Sequence, residues 1–318
     1  MEQVWKIGSM VRMIREKQNI TQAQLCDGLC SVATLSRLES GTREIDYFLC
    51  CRIFERLGYV PDMYEFYGDT EELKQWNQRY QIQIDYVKGD EGQLERHLQA
   101  YKESLGKCLE VDLLQRQFVE FFEGILLVKK GESKSGAATL ERAILRTAPE
   151  WNKDGKILTL GKTELEILKT WGDACEVCGE EEQAERIYFR ILNCLQKRQN
   201  LKEELNRLYA DTVCKVVQVY WRQERYPRIY ELCQDALNIL AKRIQITHWS
   251  TLLYWKAKSL EAMIKNCQET QKSKVDEVIK LYIRTYYAMR LFGEEENAQE
   301  VRIHLEERYG WECTTLGK

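Results

Sequence analysis

From about residue 70 onward, this 318-residue chain repeats apolar side chains every three to four positions, with almost nothing to stop a helix. Proline occurs only at Pro61, Pro149 and Pro227, and proline is the residue a helix interior tolerates least. The expected fold class is therefore all-α. The clearest structural unit runs from Leu168 to Ile191. Leu168, Trp171, Gly172 and Cys175 fall on a first helix, Gly179 on the turn, and Ala184, Tyr188 and Ile191 on a second. Gly172 and Ala184 are small where two antiparallel helices must approach closely, and Tyr188 fills the gap to the next pair. Gly124, Leu127, Gly131, Gly136, Leu140 and Ala143 keep this spacing upstream. Leu94, Leu98 and Tyr101, after Gly89, mark an earlier pair. Tyr220, Ile229, Cys233 and Ala236, then Val278, Tyr282 and Thr285, mark later ones. Second-helix markers at 94, 136, 184, 229 and 278 are thus 42, 48, 45 and 49 residues apart. ENAQEVRIHLEERYG closes the array as a capping helix.

The 168–191 unit resembles a tetratricopeptide repeat at most of its marker positions. Its spacing exceeds the roughly 34 residues of a minimal repeat, so helices or loops must be extended. The resemblance implies a right-handed α-solenoid of about five helix pairs, whose concave groove, lined by first helices, holds extended peptides. Groove candidates flank the small positions: Phe121, Ile125, Lys169, Asp173, Asn206, Tyr209 and Gln218, with Tyr254 and Lys258 on a later helix. Asn and Gln suit a peptide backbone because one amide both donates and accepts. The same residues serve equally well as solvated or inter-repeat side chains.

The segment Ile7 to Tyr67 reads differently. Thr21 is an N-cap candidate for a short helix containing Leu25, and Gly28, Leu29 and Cys30 end it. Ser31 opens VATLSRLE, in which Leu35 and Leu38 share a ridge, and Gly41 stops that helix. Two capped helices joined by a tight turn make a helix-turn-helix, whose second helix enters the DNA major groove. Arg15, Thr21, Gln22, Leu25, Ser31, Leu35, Ser36, Arg37, Leu38, Glu39 and Gly41 resemble the helix-turn-helix pattern of the lambda-repressor and Cro type, with Cys26 in place of the usual alanine. The resemblance implies a five-helix-type domain that binds DNA through Gln22, Ser31, Val32, Ala33, Thr34, Ser36, Arg37, Ser40 and Arg43. Arg37 suits bidentate contact with guanine, Val32, Ala33 and the Thr34 methyl suit thymine methyls, and Gln22, Ser40 and Arg43 suit the phosphate backbone. An ion pair of Arg37 with Glu39 or Asp27 is the alternative; in the family pattern Glu39 instead pairs with Arg15.

Charge tempers this reading. Residues 1–67 hold eight Lys or Arg against nine Asp or Glu, and the whole chain carries a net charge of −3. DNA binding, which rests on phosphate neutralisation, would need a local patch and two copies of the domain. Cys50, Cys51, Cys194, Cys214 and Cys233 fall in apolar helical stripes and read as small hydrophobes, as do Cys175 and Cys178 of the CxxC. No pairing and no metal are expected. Three histidines, no HExxH and no phosphate loop argue against an enzyme. GKILTLGK, from Gly155 to Lys162, has five residues between its glycines rather than four and is discarded. No apolar signal core and no membrane-length apolar run are present, so a cytoplasmic protein is expected.

Taken together, residues 1–68 as a helix-turn-helix domain and 69–318 as repeats resemble the RRNPP peptide-responsive regulators. That resemblance implies a cytoplasmic homodimer on a near-palindromic double-stranded DNA operator, a short quorum-sensing peptide as ligand, no cofactor and no membrane. The alternative is a helical-repeat adaptor for a protein partner.

Overall fold

The structure, a computed structural model, describes residues 7–43, 45–58, 70–152, 159–196, 198, 203–265 and 272–311. The regular structure among these residues is helical throughout, and none of the described helices is long and apolar enough to cross a membrane. The chain divides into two compact units, residues 1–202 and 203–318.

The first unit opens with α1 (Ile7–Lys17), α2 (Gln22–Cys26), α3 (Val32–Glu39) and α4 (Tyr47–Arg56). The starts of α2, α3 and α4 are set by their caps. Thr21 accepts the Gln24 N–H at 3.2 Å, while the Gln24 side chain accepts the Thr21 N–H at 2.8 Å. Ser31 caps α3 through the Thr34 N–H at 3.1 Å, and Asp46 caps α4 through the Leu49 N–H at 3.0 Å. Each such cap contributes about 1 kcal/mol. The inward ridges then meet in one core, where Val11, Leu25, Leu35 and Ile53 are fully buried. Four of the expected five helices are seen. The place of a fifth, and the expected boundary at 68/69, lie outside the described residues.

The same unit continues with α5 (Thr70–Lys88), α6 (Glu91–Leu105), the short α7 (Cys108–Val111), α8 (Leu113–Lys129), α9 (Ser133–Thr147), α10 (Lys162–Val177) and α11 (Glu181–Gln196). Neighbours in sequence pack as pairs: α5 with α6, α8 with α9, α10 with α11. The small positions read from sequence sit at these crossings. A Cβ on Gly124 would come within 2.7 Å of Leu140, and one on Gly172 within 2.6 Å of Tyr188. Pro149 falls just beyond the end of α9, where it interrupts nothing.

The second unit stacks α12 (Glu203–Arg222), α13 (Tyr226–Lys242), α14 (Trp249–Lys265), α15 (Lys272–Leu291) and α16 (Glu295–Tyr309). Pro227 occupies the first turn of α13, where a missing N–H costs nothing. The expected capping helix is α16, which covers α15 with Ala298, Val301 and Leu305. Glu261 on α14 anchors this end, accepting hydrogen bonds from Tyr282 and Tyr309, each at 2.9 Å, and pairing with Arg308 at 2.7 Å.

Candidate nucleic-acid interface and the cavity behind it

Helix α3 is held by one ridge and presents the other. Leu35 and Leu38 are buried, while Ser31, Val32, Ala33, Ser36, Arg37 and Ser40 are exposed and Thr34 is half-exposed. Helix α1 presses on the C-terminal end of α3 so closely that a Cβ on Gly8 would overlap the Leu38 carbonyl. Arg15 of α1 completes the clamp with a bidentate bond to Glu39, at 2.6 and 2.8 Å. Burial alone would raise the Glu39 pKa, but Arg15 and Gln22 outweigh it and hold the carboxyl below its ordinary value. The pairing expected between Arg15 and Glu39 is therefore present, and Glu39 is engaged away from Arg37.

The remaining candidates are placed as follows. Gln22 is half-buried and donates its amide to Glu39 at 2.8 Å. The Ser40 hydroxyl donates to the Arg37 carbonyl at 3.0 Å, closing the end of α3. Arg43 is exposed just beyond it. The even charge count of this region resolves spatially, because Arg15, Arg52 and Arg56 are buried and paired inside the protein. Arg37, on the exposed edge of α3, and Arg43, just beyond its end, are exposed.

Behind α3, helix α4 fastens this region to α8, α9 and α10. Arg56 is 3% exposed and donates to the Leu25 and Asp27 carbonyls at 2.9 and 2.6 Å on one side. On the other it donates to the Thr147 carbonyl at 3.1 Å and to Glu164 at 2.6 Å. Glu164 also accepts the Thr147 hydroxyl and the Gly161 N–H, both at 2.6 Å. Burial would push Glu164 up, yet Arg56, with Arg52 and Thr147 behind it, holds the carboxyl down at about 2. One turn earlier, Arg52 donates to Glu55 at 3.0 Å and to Gln117, whose amide donates to Thr147 at 2.6 Å. A buried charge pair persists when its remaining lone pairs and protons are satisfied, and here they are.

Beside this fastening lies a cavity of about 610 Å³ with four helical walls. Helix α4 gives Tyr47, Phe48 and Cys51, α5 gives Trp76, Arg79, Tyr80 and Tyr86, and α8 gives Phe118, Phe121 and Phe122. Helix α10 gives Lys162, Glu166, Lys169 and Asp173. Arg79 lies 4.1 Å over the Phe48 ring, Trp76 stacks on Tyr80 at 5.0 Å, and Tyr86 meets Phe122 edge-on at 5.8 Å. Three groove candidates, Phe121, Lys169 and Asp173, are brought together here, with Lys169 bonded to Asp173 at 2.7 Å. Ile125 is buried on the same helix. Nothing in the sequence analysis singles out the rings of α4 and α5 that line this cavity. Trp76, Tyr80 and Val87 at near-helical spacing were the available signal, but nothing local says which helix they face.

The other groove candidates belong to the second unit. Asn206 is buried and accepts from Arg243 at 3.3 Å, and Tyr209 is fully buried with the same Arg243 5.4 Å over its ring. Gln218 is exposed. Tyr254 and Lys258 do come together: the Lys258 ammonium lies 4.7 to 5.3 Å from the rings of Trp221, Trp255 and Tyr254. Every described cysteine is a free thiol. Burial pushes Cys175 of the CxxC up to about 12, making it a core residue rather than a reactive thiol.

Residues 11–62 match the family model described as helix-turn-helix. No curated protein matches the chain by sequence. Among solved structures it is similar to Bacillus thuringiensis PlcR in complex with the peptide PapR7 and DNA, at 14% identity over 93% of this chain and 98% of that one, with a TM-score of 0.49. It is also similar to the apo form of the competence regulator ComR from Streptococcus vestibularis, at 16% identity over 95% and 97%, TM-score 0.42. A third is the SHP pheromone receptor Rgg2 of Streptococcus dysgalactiae, at 12% identity over 95% and 99%, TM-score 0.41. The chain thus carries an N-terminal helix-turn-helix DNA-binding domain ahead of an all-helical remainder.

Proposed function

We propose that this protein is a sequence-specific transcriptional regulator whose repeat region takes up a short signalling peptide, as its resemblance to the RRNPP regulators implies. The observation that carries the DNA half is α3 itself, with Leu35 and Leu38 buried and Ser36 and Arg37 exposed on the opposite edge. A helix pinned along one ridge and wet along the other is the form that enters a major groove. A homodimer supplies a second α3 one helical turn of DNA away, roughly 34 Å, and doubles the few cations each copy offers.

The peptide half rests on the array of helix pairs and on Phe121, Lys169 and Asp173 converging on one cavity. A peptide regulates only by binding one arrangement of the protein better than another. Gel retardation on the DNA upstream of the protein's own gene, titrated with salt, tests the first half. Binding that falls steeply as salt rises is expected; no retardation even at low salt sinks the regulator reading and leaves the protein-binding adaptor.

A further inference from the structure

Helix α3 begins with methyl groups, at the end where base edges would offer it hydrogen-bond donors and acceptors. Its first two residues are Val32, 46% exposed, and Ala33, also exposed. Both lie on the edge turned away from the buried Leu35 and Leu38. The hydroxyls on either side of them are engaged in the cap. Ser31 accepts the Thr34 N–H at 3.1 Å, and the Ser31 and Thr34 hydroxyls lie 2.9 Å apart, one donating to the other. At the far end, Ser40 donates to the Arg37 carbonyl at 3.0 Å. The exposed edge thus divides into an apolar start, Val32 and Ala33, and a polar remainder, Ser36 and Arg37. The burial of Leu35 and Leu38 and the Arg15–Glu39 pair keep the helix from rolling to present other side chains.

A pyrimidine shows two distinguishing groups in the major groove. One is the O4 acceptor of thymine or the N4 amino donor of cytosine; the other is the C5 position, which bears a methyl group in thymine. Hydrogen-bonding side chains read the first, and apolar ones read the second. Val32 and Ala33 make only the second kind of contact. The hydroxyl of Ser36 both donates and accepts, so it does not separate O4 from N4 either. The C5 methyl is also carried by 5-methylcytosine, and to a turn of this composition that base and thymine are equivalent. Arg37 is four residues beyond Ala33, about 6 Å along the helix and roughly two base-pair steps away. Its guanine contact is therefore separate from the methyl contact.

We infer that the first turn of α3 reads the pyrimidine C5 methyl group itself, so that duplex DNA with 5-methylcytosine in place of thymine at that step is bound as thymine is, while unmethylated cytosine is refused. The inference rests on the DNA-binding function proposed above and adds a modified base to its ligands. Methylation of cytosine at that step then creates a binding site out of a sequence that the protein otherwise passes over.

In the test, the full-length protein selects duplexes from a random double-stranded library. The selected duplex is then resynthesised with single changes at its thymines and measured by competition gel shift. Adjacent thymines, with guanine about two steps away, are expected in the selected duplexes. Deoxyuridine, which removes the methyl alone, should weaken binding about fourfold per thymine replaced. A cytosine–guanine pair at that step should bind as weakly, and 5-methylcytosine in the same pair should restore the affinity of thymine. Val32→Ser and Ala33→Ser, at exposed positions, should erase the preference for thymine over deoxyuridine and leave binding to random duplexes unchanged. Thermal melts check that both variants fold. Equal binding of thymine and deoxyuridine duplexes, or 5-methylcytosine as weak as cytosine, overturns methyl reading and leaves DNA binding standing. A preference unchanged in both serine variants overturns its assignment to this turn. Failure to select any duplex overturns the inference together with the regulator reading.

Discussion

Arg37 and Arg43 are neighbours with different expected jobs. Arg37 projects from the last turn of α3 on its exposed edge, whereas Arg43 follows its end. Replacing Arg37 with Ala should cost roughly 1–3 kcal/mol of preference for the cognate site with less effect on general affinity. Arg43→Ala should weaken all sequences alike and reduce the salt slope by about 1. Competition gel shifts with specific and random DNA distinguish the two, and equal effects on both DNAs from Arg37→Ala would remove its base-reading role. Glu39 belongs to the same scale but to stability. Glu39→Ala leaves Arg15 buried without its partner, so it should cost about 3–5 kcal/mol in a chemical denaturation curve. Because the Glu39 pKa is lowered in the folded protein, its contribution is full above the ordinary carboxylate pKa and lost as pH falls below it.

At the scale of elements, close backbone approach decides which residues are interchangeable. Gly28 joins α2 to α3 with φ +72°, a left-handed conformation that strains any other L-residue, and an added Cβ would overlap the Thr147 carbonyl at the end of α9. Gly28→Ala should therefore destabilise twice, through strain in its own turn and by prising the helix-turn-helix from α9. Faster amide exchange in residues 11–58 than in α8 and α9 would show this; uniform exchange across both would refute it. Gly172→Ala acts differently, since its φ is ordinary and the nearest obstacle is the Tyr188 ring, at 2.6 Å. The Tyr188 hydroxyl bonds Asp173 and Glu176, each at 2.8 Å, so the ring cannot retreat freely. Thermal unfolding should fall by several degrees, in keeping with an overpacking cost of about 1–3 kcal/mol.

At the scale of the molecule, the fastening of α4 is the feature with consequences for pH. Glu164 contributes stability that is fully present above the ordinary carboxylate pKa and is lost as pH falls toward its folded value of about 2. Acid should thus loosen the attachment of the helix-turn-helix between about pH 4.5 and 2. Glu164→Gln should remove most of that pH dependence, as followed by limited proteolysis near residue 58, and an unchanged acid transition would show that other carboxylates control it.

What was legible in the sequence was whatever depends on near neighbours along the chain. Thr21, Ser31 and Asp46 cap within three residues, and the α2 and α3 caps were readable for that reason. The markers at 94, 136, 184, 229 and 278 all fall on the second helix of a pair, because helical period and small-residue spacing are local signals. The destination of long side chains was not legible. Arg52 and Arg56 looked like part of the cationic complement of the DNA-binding region, and instead they turn inward to Gln117 and Glu164, 65 and 108 residues away. Periodicity says that a helix has an apolar face but not what meets it, so the rings of α4 and α5 gave no hint that they enclose a shared cavity. Short-range chemistry thus determined the helices and the exposed edge of α3, whereas only tertiary packing, which brings distant charges and rings into one desolvated space, decided how the DNA-binding domain is held and what lies behind it.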